Sequence, residues 1–183
     1  MKNKHKYLII VFLIIATLAA FGRIAANEFI FTSDDKIYLT ENSDIKSGLN
    51  PQSIQWAFTA IVSGNWHPLT MISHIMDWSL FGANPAGHHL VNLILHIGAV
   101  VLLFLFLVKT TNNIWPAAFA AALFALHPLR VESVAYAAER KDVLSMFFAM
   151  ACLYVYAFYV KSLRFSQYFQ CLILFVIALL AKP

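Results

Sequence analysis

The sequence predicts an all-α membrane protein, a multi-span helical bundle whose long first outer loop bears interfacial helices. Three observations carry that prediction. Of the 183 residues, 61% are hydrophobic and only 12% are charged, whereas a soluble domain keeps about a quarter of its residues charged. Several apolar runs approach the roughly 20 residues a helix needs to cross the hydrocarbon core. Charge is also segregated along the chain. Lys2, Lys4, Lys6, Lys109, Lys161 and Arg164 fall in segments that hold no acid, and all nine carboxylates fall in the other polar segments. The net charge of +4 is small and scattered, with no basic face carrying interleaved aromatics, so nucleic acid is not a partner. Cys152 and Cys171 lie inside apolar runs and do not specify a redox compartment.

The first span is expected over 7–26, with Arg23 able to snorkel to the interface. A cleaved signal peptide competes with it, because three lysines precede the run and Ala25-Ala26 offers small residues. The length of the run and the position of Arg23 favour the span. Residues 27–89 form the first outer loop. Within it, Pro51 suits the opening of a helix that runs to about Val62. A second helix follows Asn65-Trp66-His67-Pro68 and runs to Leu80. Thr70, Ser73, His74 and Asp77 recur on it at three- and four-residue spacing as a polar stripe, with Leu69, Ile72, Ile75 and Met76 as its apolar side. Trp56, Trp66 and Trp78 suit the headgroup level, so the loop is expected to lie along the membrane.

Four further spans are expected over 90–108, 114–127, 143–160 and 167–182, with a second outer loop over 128–142. Pro128 ends the third span, because it lacks a backbone donor and clashes with the preceding turn. No linker or solenoid repeat divides the chain, so residues 1–183 read as one module. The N-terminal lysines are the orienting element and place the N-terminus on the cytoplasmic side. The protein is therefore expected to be integral and multi-pass, and its set of motifs leans to a bacterial inner membrane in preference to the endoplasmic reticulum.

Polar residues at the outer side carry the candidate chemistry. Asp34-Asp35, just past the first span, offers a general base or a metal ligand, although such a pair in isolation is more often a solvated turn. His89, Asn92 and His96 share one helical face, either toward a cavity or, for Asn92 and His96, as interhelical hydrogen-bonding groups. A helix opening at Pro128 would set free N–H groups beside Arg130 as a phosphate site and align Glu132, Tyr136 and Glu139 on one face. Arg140 and Lys141 would neutralise a phosphate or pyrophosphate. A charged stop between two spans accounts for the same residues. The seven histidines include no tight ligand motif, so no metal-ligating residue is assigned and a divalent cation is a candidate cofactor only. Gly-rich phosphate loops, dinucleotide fingerprints and nucleophile elbows are absent, so a donor of any transferred sugar must be carried in the membrane.

The ordered series Asp34-Asp35, Trp56-Ala57-Phe58, Asn65-Trp66-His67-Pro68-Leu69-Thr70, Ser73-His74, Leu80-Phe81-Gly82, His88-His89-Leu90-Val91-Asn92, Leu95-His96, His127-Pro128-Leu129, Val131-Glu132-Ser133-Val134-Ala135, Glu139-Arg140-Lys141-Asp142 and Lys182-Pro183 resembles the transmembrane and tetratricopeptide-repeat-containing proteins. These belong to the GT-C class of glycosyltransferases and are related to protein O-mannosyltransferases. The resemblance covers nearly the whole chain. It implies a GT-C-like fold and transfer of a sugar, mannose among the candidates, from a polyprenyl-phosphate carrier on the extracytoplasmic face. The acceptor would be a hydroxyl of a protein, Ser/Thr included, or of a glycan. Asp34 or Asp35 then corresponds to the general base. By our inference Arg130, Glu139, Arg140, Lys141 and Asp142 form the donor-phosphate site, and Trp66, His67, His74, His88 and His89 belong to the substrate loop. Family members usually continue into further spans and tetratricopeptide repeats, so this chain is expected to correspond to their N-terminal portion only. The rival readings are a non-catalytic membrane scaffold or an inactive fragment of such an enzyme. A transporter segment is disfavoured, because no polar stripe runs through several spans.

Overall fold

The computed structural model describes residues 2–30 and 34–183. All regular structure among them is helical, apart from one isolated bridge between Val62 and Asn65. Helix α1 (Lys2–Phe21) continues as a 3₁₀ turn over Gly22–Ala26. Thr17 donates its hydroxyl to the Leu13 carbonyl at 2.7 Å, which satisfies a polar group inside an apolar helix at the four-residue spacing that allows it.

The loop that follows is built from short, well-capped pieces. A single π turn covers Lys36–Thr40. Helix α2 (Ser43–Lys46) is capped by the Asn42 side chain, and α3 (Pro51–Thr59) by a reciprocal Asn50–Ser53 capping box with proline at its start. Helix α3 ends three residues before Val62. There the chain turns back at Ser63 and Gly64, both at positive φ, with paired 3.0 Å hydrogen bonds between Val62 and Asn65. Two left-handed residues inside a tight antiparallel turn are incompatible with continued helix. Helix α4 (Pro68–Phe81) stops at Gly82, whose φ of +57° suits a residue without Cβ.

Helix α5 (Pro85–Thr111), capped by Asn84, is the longest element and the hub of the bundle. Helices α6 (Ile114–Leu126), α7 (Arg130–Ala135), α8 (Arg140–Ser162) and α9 (Phe165–Ala181) complete the fold. A 3₁₀ turn over Ala137–Glu139 precedes α8. The second loop therefore departs from expectation. Pro128 sits in a turn and α7 lasts six residues. Tyr136 is then extended, so Glu132, Tyr136 and Glu139 do not share one helical face. The cause is tertiary: the Tyr136 carbonyl accepts the Asn92 side-chain amide at 2.9 Å.

Lys4–Ala26, Pro85–Thr111 and Ala137–Ser162 are long and apolar enough to cross a membrane. Helices α6 and α9 are apolar but shorter, at 13 and 17 residues. Large side chains such as Phe12, Trp115, Phe119, Leu123 and Phe165 point outward, a surface suited to lipid and not to water. The interior is close-packed. Ala117, Ala121 and Ala125 of α6 are buried at four-residue spacing in a cluster with Leu13, Val100 and Phe104, where small residues let helices approach. Gly98 of α5 faces Phe147 of α8 so closely that a Cβ would lie 2.6 Å from the ring. The chain is an integral, multi-pass helical membrane protein.

Candidate functional site

The polar residues singled out from the sequence gather at one end of the bundle, in two adjoining networks. The first is centred on Asp35, which is fully buried. Its Oδ2 accepts the Ile30 amide at 3.0 Å and its Oδ1 accepts the Ala138 amide at 2.8 Å, tying the first loop to the start of α8. Asp34, half-buried, is held through its own amide, which donates to the Tyr136 hydroxyl at 2.9 Å. Asp35 is therefore committed on both oxygens, and Asp34 is positioned from its backbone.

Lys141 and Glu139 lie beside this junction and pair at 2.7 Å, both largely shielded. The Lys141 ammonium stands 5.4 Å from the centre of the Tyr38 ring, against which the His67 imidazole is stacked at 5.4 Å and 16°. Burial is the main cause that holds the Tyr38 phenol above its ordinary value. Burial, then Lys141 and Lys182, push His67 down to about 4. A cation costs more when removed from water and placed near other cations. Asp142 accepts from Lys182 at 2.5 Å and from the Ser133 hydroxyl at 3.3 Å. Thr70 donates to the Ala181 carbonyl at 2.9 Å, which brings the end of α9 against α4 and delivers Lys182 to the site.

The second network is centred on Arg140, which is wholly buried. Its guanidinium donates to Asn92 Oδ1, to Ser73 Oγ at 2.6 Å, to Asp77 Oδ2 at 2.5 Å and to the His88 carbonyl at 2.9 Å. The polar stripe of α4 thus faces inward, because Thr70, His74 and Asp77 are buried and Ser73 reaches Arg140. A planar fork of donors matched to several acceptors is the usual way to bury an arginine. His88 Nε2 bonds the Gly82 carbonyl at 3.0 Å, and His96 Nε2 bonds the Ala125 carbonyl at 3.1 Å. His89 is buried with its ring against Phe29. Asn92 and His96 therefore both make interhelical hydrogen bonds.

His74, Asp77 and His88 each offer a ligand atom, all within 4.8 Å of one another, so this buried set could coordinate a metal. Among the described residues, neither His74 nitrogen has a hydrogen-bond partner. Burial and then Arg140 hold His74 well below its ordinary pKa, so its nitrogens are neutral and available. Against a cation, Asp77 is already engaged by the Arg140 guanidinium, whose charge would repel a metal at so short a range.

Arg130 makes no ion pair among the described residues. It stacks on Phe124 at 4.4 Å and borders a small cavity together with Ser133 and Asp142. Trp66 is partly exposed and donates to the Phe58 carbonyl at 2.9 Å. Tyr38, Asp77, Tyr136 and Lys182 were not among the site residues drawn from sequence. Asp77 was visible as part of a helical stripe and Tyr136 as part of an expected helical face with Glu132 and Glu139, but nothing in the local sequence marks Tyr38.

Fold and site together define a multi-pass helical membrane protein whose buried ionic chemistry is gathered where two loops meet. Comparison with curated proteins shows a distant, family-level relationship to one group. Protein O-mannosyl-transferase Tmtc1 of Drosophila melanogaster is 32% identical over 123 residues, covering 63% of this chain and 14% of that protein. Protein O-mannosyl-transferase Tmtc2 of the same fly is 29% identical over 145 residues, covering 75% and 15%. Protein O-mannosyl-transferase TMTC4 of Homo sapiens is 31% identical over 159 residues, covering 74% and 21%. The chain is thus a distant relative of the GT-C protein O-mannosyl-transferases, and spans only about a seventh to a fifth of the length of these three. No protein-family model matches the chain, and no solved structure matches it at a significant level.

Proposed function

We propose that this chain carries the acidic motif and donor-phosphate site of a glycosyltransferase of the GT-C class. In this reading a polyprenyl-phosphate sugar, with mannose the first candidate, gives its sugar to an acceptor hydroxyl on the extracytoplasmic face. Asp34 takes the hydroxyl proton, the oxygen attacks the anomeric carbon, and the carbon–oxygen bond to phosphate breaks with inversion. The polyprenyl phosphate leaves, its charge met by Lys141 and Lys182. The observation that carries the reading is the Asp35–Ala138 hydrogen bond. It sets Asp34 beside the segment that holds Glu139, Lys141 and Asp142. Asp35 is assigned to positioning, because both its oxygens are already hydrogen-bonded. Arg140 is assigned to holding the site together, with Asp77 as its counter-ion. Arg130 would meet the donor from the side of its cavity with Ser133 and Asp142. Trp66, His67, His74, His88 and His89 would border the substrate loop, and the N-terminus would be cytoplasmic.

The test is binding of radiolabelled polyprenyl-phosphate mannose to the purified chain in detergent, beside a Lys141→Ala/Lys182→Ala variant. Saturable binding that the double substitution weakens at least tenfold is expected. A folded chain that binds no donor, or binds it equally well without both lysines, overturns the donor site.

A further inference from the structure

At the end of the bundle remote from Asp35, three lysines from three helices converge on one cleft of about 530 Å³: Lys6 of α1, Lys109 of α5 and Lys161 of α8. Lys109 lies 21 residues beyond His88 on one helix, about 30 Å at the usual rise. Thr110, Asn112 and Tyr154 also line the cleft, and among the described residues no carboxylate does. Among the described residues, no carboxylate is within ion-pair distance of the three lysines. Lys109 stands 4.0 Å over the Phe158 ring, a contact that orients an ammonium without neutralising it.

Helix ends account for part of this arrangement. Lys109 and Lys161 occupy the last turns of their helices, where a cation is favoured. That account fails for Lys6, which lies near the N-terminal, positive end of α1. Three like charges brought to one cleft repel each other, and an anion seated among them reverses the sign of that interaction. Leu105 and Val108 form an apolar flank of the same cleft, which suits a ligand with a charged head and an apolar body.

We propose that this cleft is a binding site for a phosphate-bearing anion, the headgroup of an anionic phospholipid. The site is separate from the proposed donor site and independent of it. Basic pockets between transmembrane helices suit such headgroups, each lysine adding about as much as one surface cation does.

The experiment is a native mass spectrometry titration of the full chain in detergent with phosphatidylglycerol, phosphatidylcholine and inorganic phosphate. It is run beside Lys6→Gln, Lys109→Gln and Lys161→Gln, singly and combined, with Lys36→Gln/Lys46→Gln as a control at the other end. Circular dichroism and the thermal midpoint verify folding, and exposed Lys161→Gln keeps the test available if the triple variant does not fold. Saturable phosphatidylglycerol binding, absent for phosphatidylcholine and weakened roughly fivefold per lysine removed, is expected. Inorganic phosphate that binds as tightly as the lipid would support the anion site but assign it to a soluble ligand. Equal binding of both lipids, or binding indifferent to the three lysines, overturns the proposal.

Discussion

Asp35 Oδ1 accepts the backbone amide of Ala138 at 2.8 Å across 103 residues of chain. Through that one bond the first loop and the start of α8 share a buried carboxylate, which also accepts the Ile30 amide. Order at the site therefore depends on a group that is out of reach of solvent.

Replacing Asp35 with Ala should destabilise the protein by about 2–3 kcal/mol, because the buried Ala138 amide and the part-buried Ile30 amide lose their acceptor. Asp34→Asn should cost less than about 0.5 kcal/mol, since Asp34 is held by a backbone amide that the substitution retains. Thermal unfolding of both variants in detergent checks the contrast. Equal costs would remove the division of roles between the two aspartates.

Arg140→Met should be more damaging still, at about 3–5 kcal/mol, because Asp77 would be left charged and buried without its partner. Arg140→Met combined with Asp77→Leu should recover a large part of that loss. The double-mutant cycle measures the coupling.

The exposed end of the site should behave differently. Lys182→Gln breaks a pair whose members are 48% and 29% exposed, and its effect on stability should be below about 1 kcal/mol and shrink with added salt. If donor binding falls in the same variant while stability holds, the lysine acts on ligand and not on fold.

Stability should decline on acidification below about pH 6.5. His67 has a folded-state pKa of about 4 against an ordinary 6.5, so between those values the unfolded chain holds a proton that the folded chain does not. Stability then rises with pH across that window and is flat above it. His74, held well below its ordinary value by burial, acts in the same direction. His67→Phe, which can keep the stack on Tyr38, should reduce the slope, as read from thermal midpoints between pH 4 and 8.

Gly98→Ala should cost about 1–3 kcal/mol, because the new methyl meets the Phe147 ring and α5 and α8 cannot separate without losing their contact. Gly98→Ala with Phe147→Leu should restore part of the midpoint.

Much of this molecule follows from local chemistry. Apolar runs long enough to cross a bilayer, Pro51 and Pro68 at helix starts, and Gly82 at a helix end all act within a few residues. Hydropathy and backbone preference are properties of short segments, so helices α1, α4, α5 and α8 and the membrane setting were legible. The same holds for the stripe Thr70, Ser73, His74 and Asp77, whose spacing alone puts it on one face. Its destination was not legible. Whether a polar stripe meets headgroups or a buried arginine depends on what packs against it, and Arg140 lies 63 residues beyond Asp77. The break at Tyr136, the different settings of Asp34 and Asp35, and the delivery of Lys182 by α9 have the same origin. Each is a hydrogen bond or ion pair between distant segments, whose strength comes from burial that only the assembled helices provide.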